Sequence, residues 1–495
     1  MCGIVGNINN SNVKNNLIEG LKKLEYRGYD SVGLALINHD QNIDVLKSAG
    51  KIKDFLSKHN NNNADGNIGI GHTRWATHGE PSDNNAHPIF DFRKRLAVVH
   101  NGIIENYLDL KNELTKVGYQ FTTDTDTESI SNLISYYIEN NHSTLEAINL
   151  ALDKINGHAA VLVITEDDPG NIFGFKKGFA GSLLIGKNNE QVSIASDFQT
   201  LISSSTEYIV LEDGESFNAT NNKIEIFKGN KKIIKKWMPI TQNSEKVSKG
   251  KYKFFMEKEI HEQSEVFLRN FQGRVNFNSQ SVNFLEELHD LDLKNIERVH
   301  LIGMGSSYYA CMLGSYWLEK IAKIPIQYSN SSEFRYRHPV VENNTLIIPV
   351  SQSGETADTL SAVKEIQLKG GDVHGIVNVV GSTIARKCGQ GVYIHSGPEQ
   401  AVASTKAFTN MVASLLLFAI RIGRTRNFSR EKGQSIIKDF ERVPELIENY
   451  LANPGPIDEA VELVKDAKSV LFLGRGLSAP VASEGALKLM EIAYI

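Results

Sequence analysis

The first half of the chain, up to about residue 237, alternates short apolar runs with polar turns. This pattern predicts a domain rich in short β-strands. The predicted strands are Cys2–Ile8, Ser31–Leu36, Asn67–Gly71, Leu96–His100, His158–Thr165, Ser182–Ile185, Gln191–Ala195 and Ile209–Leu211. Apolar residues that recur every three or four positions predict amphipathic helices inserted among the strands. These helices are Asn15–Tyr26, Ile104–Val117, Glu128–Asn140 and Ser143–Ile155.

The second half of the chain changes to a regular β-α-β alternation. The apolar runs Arg298–Ile302, Asn344–Val350 and Val373–Val379 predict its strands, and the first two lead into Gly/Ser-rich loops followed by helices. Such alternation indicates a parallel sheet flanked by helices, whose ligands bind beyond the carboxyl ends of the strands. Before this region, polar Pro239–Gly250 predicts a linker and Tyr252–Gly273 predicts a helix.

The end of the chain resembles the start of a second β-α-β region. After a long helical stretch, Ala401–Tyr450, the sequence predicts a strand at Ser469–Leu473, a Gly/Ser loop at Gly474–Ser478 and a helix at Pro480–Ala493. A sheet of one strand cannot close a core. We therefore expect either a fragment of a longer chain or a chain that needs a partner.

Composition and charge narrow the class of protein. The 495 residues are too many for one core, and 41% hydrophobic with 22% charged residues is typical of a soluble globular protein. A net charge of −5 without a basic stripe makes nucleic acid an improbable partner. The longest apolar stretch, Met411–Ile422, is too short to span a bilayer and predicts a buried helix.

Three cysteines, Cys2, Cys311 and Cys388, are too sparse for a disulfide scaffold and favour a reducing, cytoplasmic location. No His/Cys cluster suggests a metal, and no ATP or nicotinamide site is visible in the sequence. We therefore expect neither a metal nor a cofactor.

Cys2 is the first residue with distinctive chemistry. Removal of Met1 would give it a free α-amine beside its thiol, with pKa values of about 7.7–8.0 and about 8.5. Part of the amine is unprotonated near neutral pH, so the residue can supply its own base to its own nucleophile. The alternative is a buried cysteine at the head of a strand, and Cys2 alone does not decide between them.

Three further segments provide partners for Cys2. Arg74, within Gly71–Gly79, offers a planar fork suited to a carboxylate, and Thr77 and His78 add nearby donors; a solvated Arg is the alternative. His100-Asn101-Gly102 follows a predicted strand, so its amide and backbone N–H can converge on a developing oxyanion. The alternative, an Asn-Gly hairpin turn, is weakened because Ile103–Val117 predicts a helix rather than a second strand.

Asp126, in Thr125–Glu128, precedes a helix and could hold an ammonium group, although an ordinary helix N-cap is a strong alternative. A carboxylate clamp, an ammonium clamp and an oxyanion pair around a terminal thiol together suit a free amino acid with an amide side chain. Glutamine fits, and the chemistry would be thioester formation with release of ammonia.

These segments, with Tyr26–Ser31, resemble the class II (N-terminal nucleophile) glutamine amidotransferases over roughly Cys2–Leu211. The resemblance implies an α+β fold, a four-layer αββα sandwich. It implies that Cys2 is the nucleophile and that Asn101 and Gly102 form the oxyanion hole. The residues that it implies for glutamine are Arg74, Thr77, His78 and Asp126, with Trp75 as a gate or a packing residue and Arg27 as a support residue.

Hydroxyl-rich loops in the second half point to a phosphorylated ligand. They are Gly303–Ser307, Ser351–Thr356 and Val402–Lys406. Helix N-termini carry unpaired N–H groups and partial positive charge, which favour phosphate. Ordinary N-capping would explain any one loop, whereas three together favour a phosphosugar.

These loops resemble SIS (sugar isomerase) domains, which are α/β with a parallel sheet and helices on both faces. Behind a glutaminase domain they resemble the glutamine–fructose-6-phosphate aminotransferase family. That resemblance implies glutamine and fructose 6-phosphate as substrates, glucosamine 6-phosphate and glutamate as products, and a homodimer through the SIS half. It implies that Glu491, beside Lys488, moves a proton between C1 and C2 of the sugar. The residues implied for the sugar phosphate are Gly305, Ser306, Ser307, Ser351, Gln352, Ser353, Thr356, Ala403 and Ser404.

The resemblance has departures and boundaries. Met304 and Ser306 stand where the family often has Cys or Ala, and Thr. The family's ring-opening His and Schiff-base Lys are expected beyond Ile495, so the chain as given is predicted to keep glutaminase chemistry at most. The predicted domains are 2–237 (glutaminase), 258–425 (first SIS domain) and 455–495 (an incomplete second SIS domain), with a linker at 238–257.

Two other readings stay open at this stage. A different class II amidotransferase would need a pyrophosphate loop with paired acids or a Ser-Gly-Gly ATP loop, and Ser351–Thr356 fits neither. A non-catalytic phosphosugar-binding regulator could keep an inert glutaminase fold. The intact set of Cys2, Arg74, Asn101 and Asp126 argues against the regulator.

Overall fold

The computed structural model describes residues 2–60, 62–240, 248–271, 273–276, 281–282, 288 and 291–495. The chain divides into two compact units, Met1–Glu245 and Lys246–Ile495. The predicted linker, 238–257, lies partly outside the described residues, as does one position of the predicted helix Tyr252–Gly273. Met1 also lies outside them.

Unit 1 is built on two antiparallel sheets. Its strands, β1 to β15 in chain order, are Gly3–Asn9, Ser31–Ile37, Ile43–Ala49, Ile68–Arg74, Ile89–Phe90, Leu96–Ile104, Gly157–Thr165, Ile172–Lys177, Leu184–Lys187, Gln191–Ala195, Glu207–Val210, Glu215–Ala219, Ile224–Lys228, Lys231–Ile233 and Met238–Pro239. Among the described residues the strand orders are β15-β11-β9-β10-β1-β4-β2-β3 and β14-β13-β12-β8-β7-β6-β5. Its helices, α1 to α6, are Lys14–Leu24, Ile52–Lys58, Tyr107–Lys116, Thr127–Glu139, Thr144–Lys154 and Phe198–Leu201.

Side chains on successive strand positions show how the layers stack. In β7, Ala160 and Leu162 pack in the core between the two sheets, whereas Val161 and Val163 pack against helices α3 to α5. In β1, Ile4 faces the inner core and the next residue, Val5, packs against α1 and α2. Both faces of each sheet are therefore covered, and the predicted four-layer αββα sandwich is confirmed.

The predicted start of the helix at Ile104 is wrong. Strand β6 runs on through His100-Asn101-Gly102 to Ile104, and α3 begins only at Tyr107. The extension is paired with β7, where Asn101 lies opposite Ala160 and Gly102 opposite Ala159. Because β7 lies more than fifty residues further along the chain, local periodicity gave no sign of this pairing.

Unit 2 is built on a parallel sheet. Its strands, β16 to β22, are Val275–Asn276, Ser281–Val282, Arg298–Gly303, Ile326–Asn330, Thr345–Ser351, Gly375–Val377 and Gly391–Tyr393. Its α-helices, α7 to α17, are Phe255–His261, Gln263–Phe271, Ser306–Trp317, Ser331–Phe334, Ala357–Leu368, Thr383–Cys388, Lys406–Arg424, Arg430–Phe440, Val443–Ala452, Ile457–Val464 and Ser478–Ala493. The described sheet has the order β19-β18-β20-β21-β22, with every neighbouring pair parallel. Strand order reverses between β18 and β20, so their carboxyl ends form the switch point where such sheets bind ligands.

Two features of unit 2 bear on the sequence predictions. Helix α13 is the one described helix long and apolar enough to cross a membrane, and 72% of its most apolar window is buried in the protein. It contains the predicted buried stretch Met411–Ile422. The predicted strand Ser469–Leu473 is wrong, because this segment has no strand structure and Leu471 and Leu473 are 86% and 88% exposed. A strand requires a hydrogen-bonded neighbour, and none of the described strands pairs with this segment.

Candidate functional site

The thiol of Cys2 lies at the start of β1, against the loop that follows β4. Its Sγ accepts a hydrogen bond from the Trp75 backbone N–H at 3.2 Å and lies 3.4 Å from the Trp75 carbonyl. Burial raises the pKa of the Cys2 thiol, and the Trp75 N–H lowers it in part. The charges of Arg74 and Asp126 also act on this pKa, in opposite directions. Three other predicted site residues, Arg74, Trp75 and Asp126, are therefore close to the thiol.

Asn101 and Gly102 reach the same place from β6. Asn101 Nδ2 donates to the Cys2 carbonyl oxygen at 3.0 Å. Gly102 has a φ of 128°, and a Cβ at this position would lie 1.9 Å from the His158 carbonyl oxygen. Only glycine fits there, because a side chain would both strain the backbone and collide with β7. The pair is thus fixed beside Cys2 by the sheet rather than by a flexible loop.

Arg74 is buried but only half engaged. Its Nη2 donates to the carbonyl oxygens of His78 and Gly79, the latter at 3.0 Å. Its Nη1 is buried and has no hydrogen-bond partner among the described residues. An unpaired buried donor is costly, so this guanidinium is suited to receive an anionic oxygen.

Asp126 is the residue immediately before α4, but it does not act as a side-chain N-cap. Its Oδ2 instead accepts a hydrogen bond from the Ile104 backbone N–H at 2.8 Å. That bond ties the carboxylate to the end of β6, the strand that carries Asn101 and Gly102. The alternative that the Asp126 side chain caps α4 is therefore wrong.

The remaining predicted residues of unit 1 have different surroundings. Trp75 is 43% exposed and its ring lies 5.8 Å from that of Tyr29. Thr77 is exposed, and the His78 ring meets the Tyr107 ring edge-on at 5.2 Å. The Arg27 guanidinium forms an ion pair with Asp197 at 2.7 Å. It also donates to the Ser196 carbonyl at 3.2 Å, so it joins the turn after α1 to the segment after β10.

The Gly/Ser loops of unit 2 lie at one edge of the parallel sheet. Ile302 of β18 pairs with Pro349 of β20, so the loops after these strands are neighbours. Ser351 Oγ accepts from the Gly354 N–H at 3.0 Å, and Ser353 Oγ accepts from the Glu355 N–H at 3.1 Å. These bonds shape the loop that leads into α11. The loop also contains Gln352, and α11 begins after Thr356.

An acid–base cluster joins α17 to the loop after β18. Lys488 Nζ donates to Ser306 Oγ at 2.9 Å and to Glu491 at 2.7 Å. Ser306 Oγ donates in turn to Glu484 at 2.8 Å, and burial raises the pKa of that carboxyl. Glu484 was not among the residues predicted from the sequence, although the spacing of residues 484, 488 and 491 places all three on one face of a helix. Gly305, with a φ of 56°, lies just before α9 in the same loop.

The segment before α13 rests on two buried carboxylates. Glu399 accepts from the Ser404 hydroxyl at 2.9 Å and from the Thr405 N–H at 2.8 Å. Glu259, on α7, accepts from the Ala401 N–H at 3.2 Å. Burial raises the pKa of Glu259 to about 7, with a further upward push from Glu399. Ala403 is fully buried between these anchored positions.

The raised pKa of Glu259 should make the folded protein less stable as the pH rises, and Glu259→Gln is expected to abolish this pH dependence. The folded-state pKa of about 7 exceeds the ordinary 4.5, so the folded protein holds an extra proton between these values. The resulting stabilisation is complete below about pH 4.5 and is lost as pH rises through about 7. Glutamine stays neutral at all these pH values. From pH 5 to pH 8, the free energy of unfolding of the variant should therefore rise by about 3 kcal/mol relative to that of the unmodified protein.

Urea unfolding at the two pH values measures this effect. Glu257→Gln, an exposed acid on the same helix, is the matched control and should leave the pH dependence unchanged. Parallel pH dependences for Glu259→Gln and the unmodified protein would contradict the prediction.

Comparisons with known proteins agree with this division of the chain. Residues 72–203 match the family model described as a glutamine amidotransferase domain, and residues 292–421 match the SIS domain. A glutamine–fructose-6-phosphate aminotransferase (isomerizing) of Caldanaerobacter subterraneus subsp. tengcongensis is 40% identical over 497 aligned residues, and one of Clostridium tetani is 38% identical. Both alignments cover 100% of this chain and 81% of the relative.

A solved structure, the C-terminal domain of glucosamine-fructose-6-phosphate aminotransferase from Francisella tularensis, is similar to part of the chain. It has a TM-score of 0.48 and 34% identity, and the match covers 50% of this chain and 70% of that one.

Proposed function

The chain belongs to the glutamine–fructose-6-phosphate aminotransferase family, and from this we propose how its residues carry out the family's reaction. The enzyme transfers the amide nitrogen of glutamine to fructose 6-phosphate, with ketose–aldose isomerisation, giving glucosamine 6-phosphate and glutamate. The observation that carries this function is similarity along the entire chain to aminotransferases of that name. No such relative favours a non-catalytic regulator.

In the glutaminase half, the Cys2 thiolate attacks the amide carbon of glutamine, with the free α-amine of a processed Cys2 as base. The Asn101 amide and the Gly102 N–H stabilise the oxyanion that forms. The α-amine passes the thiol proton to the amide nitrogen, which leaves as ammonia when the C–N bond breaks. Water then cleaves the thioester, which releases glutamate and regenerates the thiol. The contact of Asn101 with the Cys2 carbonyl supports this assignment, because it places an N–H donor against the residue that carries the nucleophile.

The substrate's α-carboxylate and ammonium group are held by opposite charges. The unpaired Nη1 of Arg74 binds the carboxylate, and Asp126 binds the ammonium. Thr77 and His78 complete the glutamine pocket, Trp75 covers it or packs beside it, and Arg27 supports the nearby backbone.

Arg74→Lys is expected to raise the KM for glutamine by about 10- to 100-fold. Lysine keeps the positive charge but cannot hold two backbone carbonyls and bind a carboxylate with the same planar fork. Steady-state glutamate release measures the change. The control is Arg93→Lys, an exposed arginine in an ion pair with Glu139, for which KM should not change. An unaltered KM in Arg74→Lys would remove Arg74 from the glutamine site.

In the sugar half, the hydroxyl-rich loops bind the phosphate of fructose 6-phosphate and Glu491 transfers the proton between C1 and C2. The phosphate ligands proposed from the loops are Ser351, Gln352, Ser353 and Thr356, with Gly305, Ser306, Ser307, Ala403 and Ser404 around the sugar. The bond from Lys488 to both Ser306 and Glu491 supports this proposal, because it links the proposed base to the switch-point loop.

A coupled assay tests the function. Purified protein is incubated with glutamine and fructose 6-phosphate, and glutamate and glucosamine 6-phosphate are both quantified. Equal amounts of the two products support the full reaction. Glutamate alone would limit this chain to the glutaminase half, as the sequence analysis expected. The absence of both products would overturn the proposal. The homodimer and the cytoplasmic location stay predictions.

A further inference from the structure

We propose that His72 is a positioning residue for glutamine hydrolysis: its imidazole fixes the Asn101 amide with the N–H side toward Cys2. This inference rests on the proposed roles of Cys2 and Asn101. His72 lies in β4, is fully buried, and contacts Asn101 from the side opposite Cys2.

The hydrogen-bond pattern determines which ring nitrogen carries the proton. His72 Nε2 lies 3.0 Å from the His100 backbone carbonyl oxygen and 3.0 Å from Asn101 Oδ1. A backbone carbonyl can only accept, so Nε2 must be the protonated nitrogen. His72 Nδ1 has no hydrogen-bond partner among the described residues, as expected for an unprotonated ring nitrogen.

The orientation of the Asn101 amide is determined in the same way. The Cys2 carbonyl oxygen, 3.0 Å from Asn101, can only accept, so the atom facing it is the amide nitrogen. The amide oxygen then faces the His72 N–H. Two backbone carbonyls, of Cys2 and His100, therefore specify both the tautomer of His72 and the orientation of Asn101.

The surroundings keep His72 neutral and immobile. Burial lowers the pKa of His72 to about 3, and its ring packs 4.4 Å from that of His87. The Thr127 hydroxyl lies 2.7 Å from His87 Nε2 and 3.0 Å from His100 Nδ1, so it joins these two imidazoles, and the packing of His72 on His87 adds the third to the same buried cluster. Without the His72 donor, the bond to the Cys2 carbonyl alone would hold the Asn101 amide, which could then rotate more readily and present its oxygen to the developing negative charge. Repulsion would then replace stabilisation.

Three variants test the inference by the rate of glutamate release. His72→Met removes the donor at similar size and should lower kcat by about 100-fold, near the effect of losing an oxyanion-hole donor, with little change in KM. His72→Gln places an amide N–H near the position of Nε2 and should recover most of the rate. In an Asn101→Ala background, His72→Met should cost less than about 3-fold, because the group through which it acts is already gone.

A second readout separates positioning from general damage. Glutamate γ-semialdehyde would react with the Cys2 thiol by addition of sulfur to the aldehyde carbon, which places the former carbonyl oxygen at Asn101. His72→Met should weaken this inhibitor by a factor similar to the loss of kcat and leave inhibition by glutamate unchanged. Equal weakening of both inhibitors, or additive losses in the double variant, would overturn the inference.

If His72→Met does not fold, ¹⁵N NMR of the unmodified protein decides. A protonated Nε2 and an unprotonated Nδ1 on His72 from pH 6 to pH 8 are expected, and a proton on Nδ1 would overturn the inference. An active unmodified protein with an unaffected His72→Met variant refutes only this inference. Absence of glutamate release from the unmodified protein would instead refute the proposed function and the inference together.

Discussion

Cys2→Ala is expected to lower the rate of glutamate release by about 10⁴-fold or more, the largest effect of any single substitution in unit 1. An enzyme whose catalytic residues act as one unit loses almost all activity when its nucleophile is removed. Alanine leaves the β1–β4 pairing intact, because the hydrogen bonds of the thiol among the described residues are both with the backbone of Trp75, which is not part of that pairing. The measurement is glutamate formation from glutamine by purified protein.

The other two cysteines provide the matched controls. Cys311 and Cys388 are buried, and burial raises the thiol pKa of both, that of Cys388 to about 12. Their thiolate populations near neutral pH are therefore negligible. Cys311→Ser and Cys388→Ser should retain glutaminase activity. A glutamine-like electrophile should label Cys2 alone, and labelling of another residue or activity in Cys2→Ala would contradict the mechanism.

Glu491→Gln is expected to lower the formation of glucosamine 6-phosphate by about 10²- to 10⁴-fold while glutamate release continues. Glutamine cannot accept the sugar proton, and general acid–base catalysis contributes an effect of this size. The substitution keeps an oxygen that can accept from Lys488, so the contact with Ser306 through Lys488 can persist. The assay measures glutamate and glucosamine 6-phosphate, and the reference is the unmodified protein, which must form glucosamine 6-phosphate.

Glu462→Gln is the control for this substitution. Glu462 is an exposed acid on α16, paired with Lys465, and its loss should alter neither product. Undiminished amino-sugar formation in Glu491→Gln would exclude Glu491 as the base.

Much of the candidate site was predictable because its residues lie in short contiguous segments. The residue types of Cys2, Arg74, Asn101 and Asp126, and their places next to predicted strands and helices, suggested a thiol between two charge clamps. The structure places Arg74, Asn101 and Asp126 near Cys2. The Gly/Ser loops after β18 and β20 were likewise predictable, since small polar residues after an apolar run indicate a strand–helix turn.

What the sequence could not reveal depends on contacts between distant residues. The length of β6 depends on pairing with β7, and the role of His72 depends on two backbone carbonyls from other segments. Ser469–Leu473 has the apolar composition of a strand, yet it has no pairing neighbour among the described strands. An apolar composition allows a segment to form a strand, but the strand forms only where a neighbouring strand can pair with it.

The two acids beneath the segment before α13 have a consequence for substrate affinity. Backbone N–H groups in an irregular loop usually exchange partners with water, whereas here Ala401 and Thr405 are bonded to buried carboxylates. A segment held in this way has little conformational freedom left to lose. The sugar contacts proposed for Ala403 and Ser404 would then need little further ordering of this segment, so its anchoring by Glu259 and Glu399 should favour tight binding.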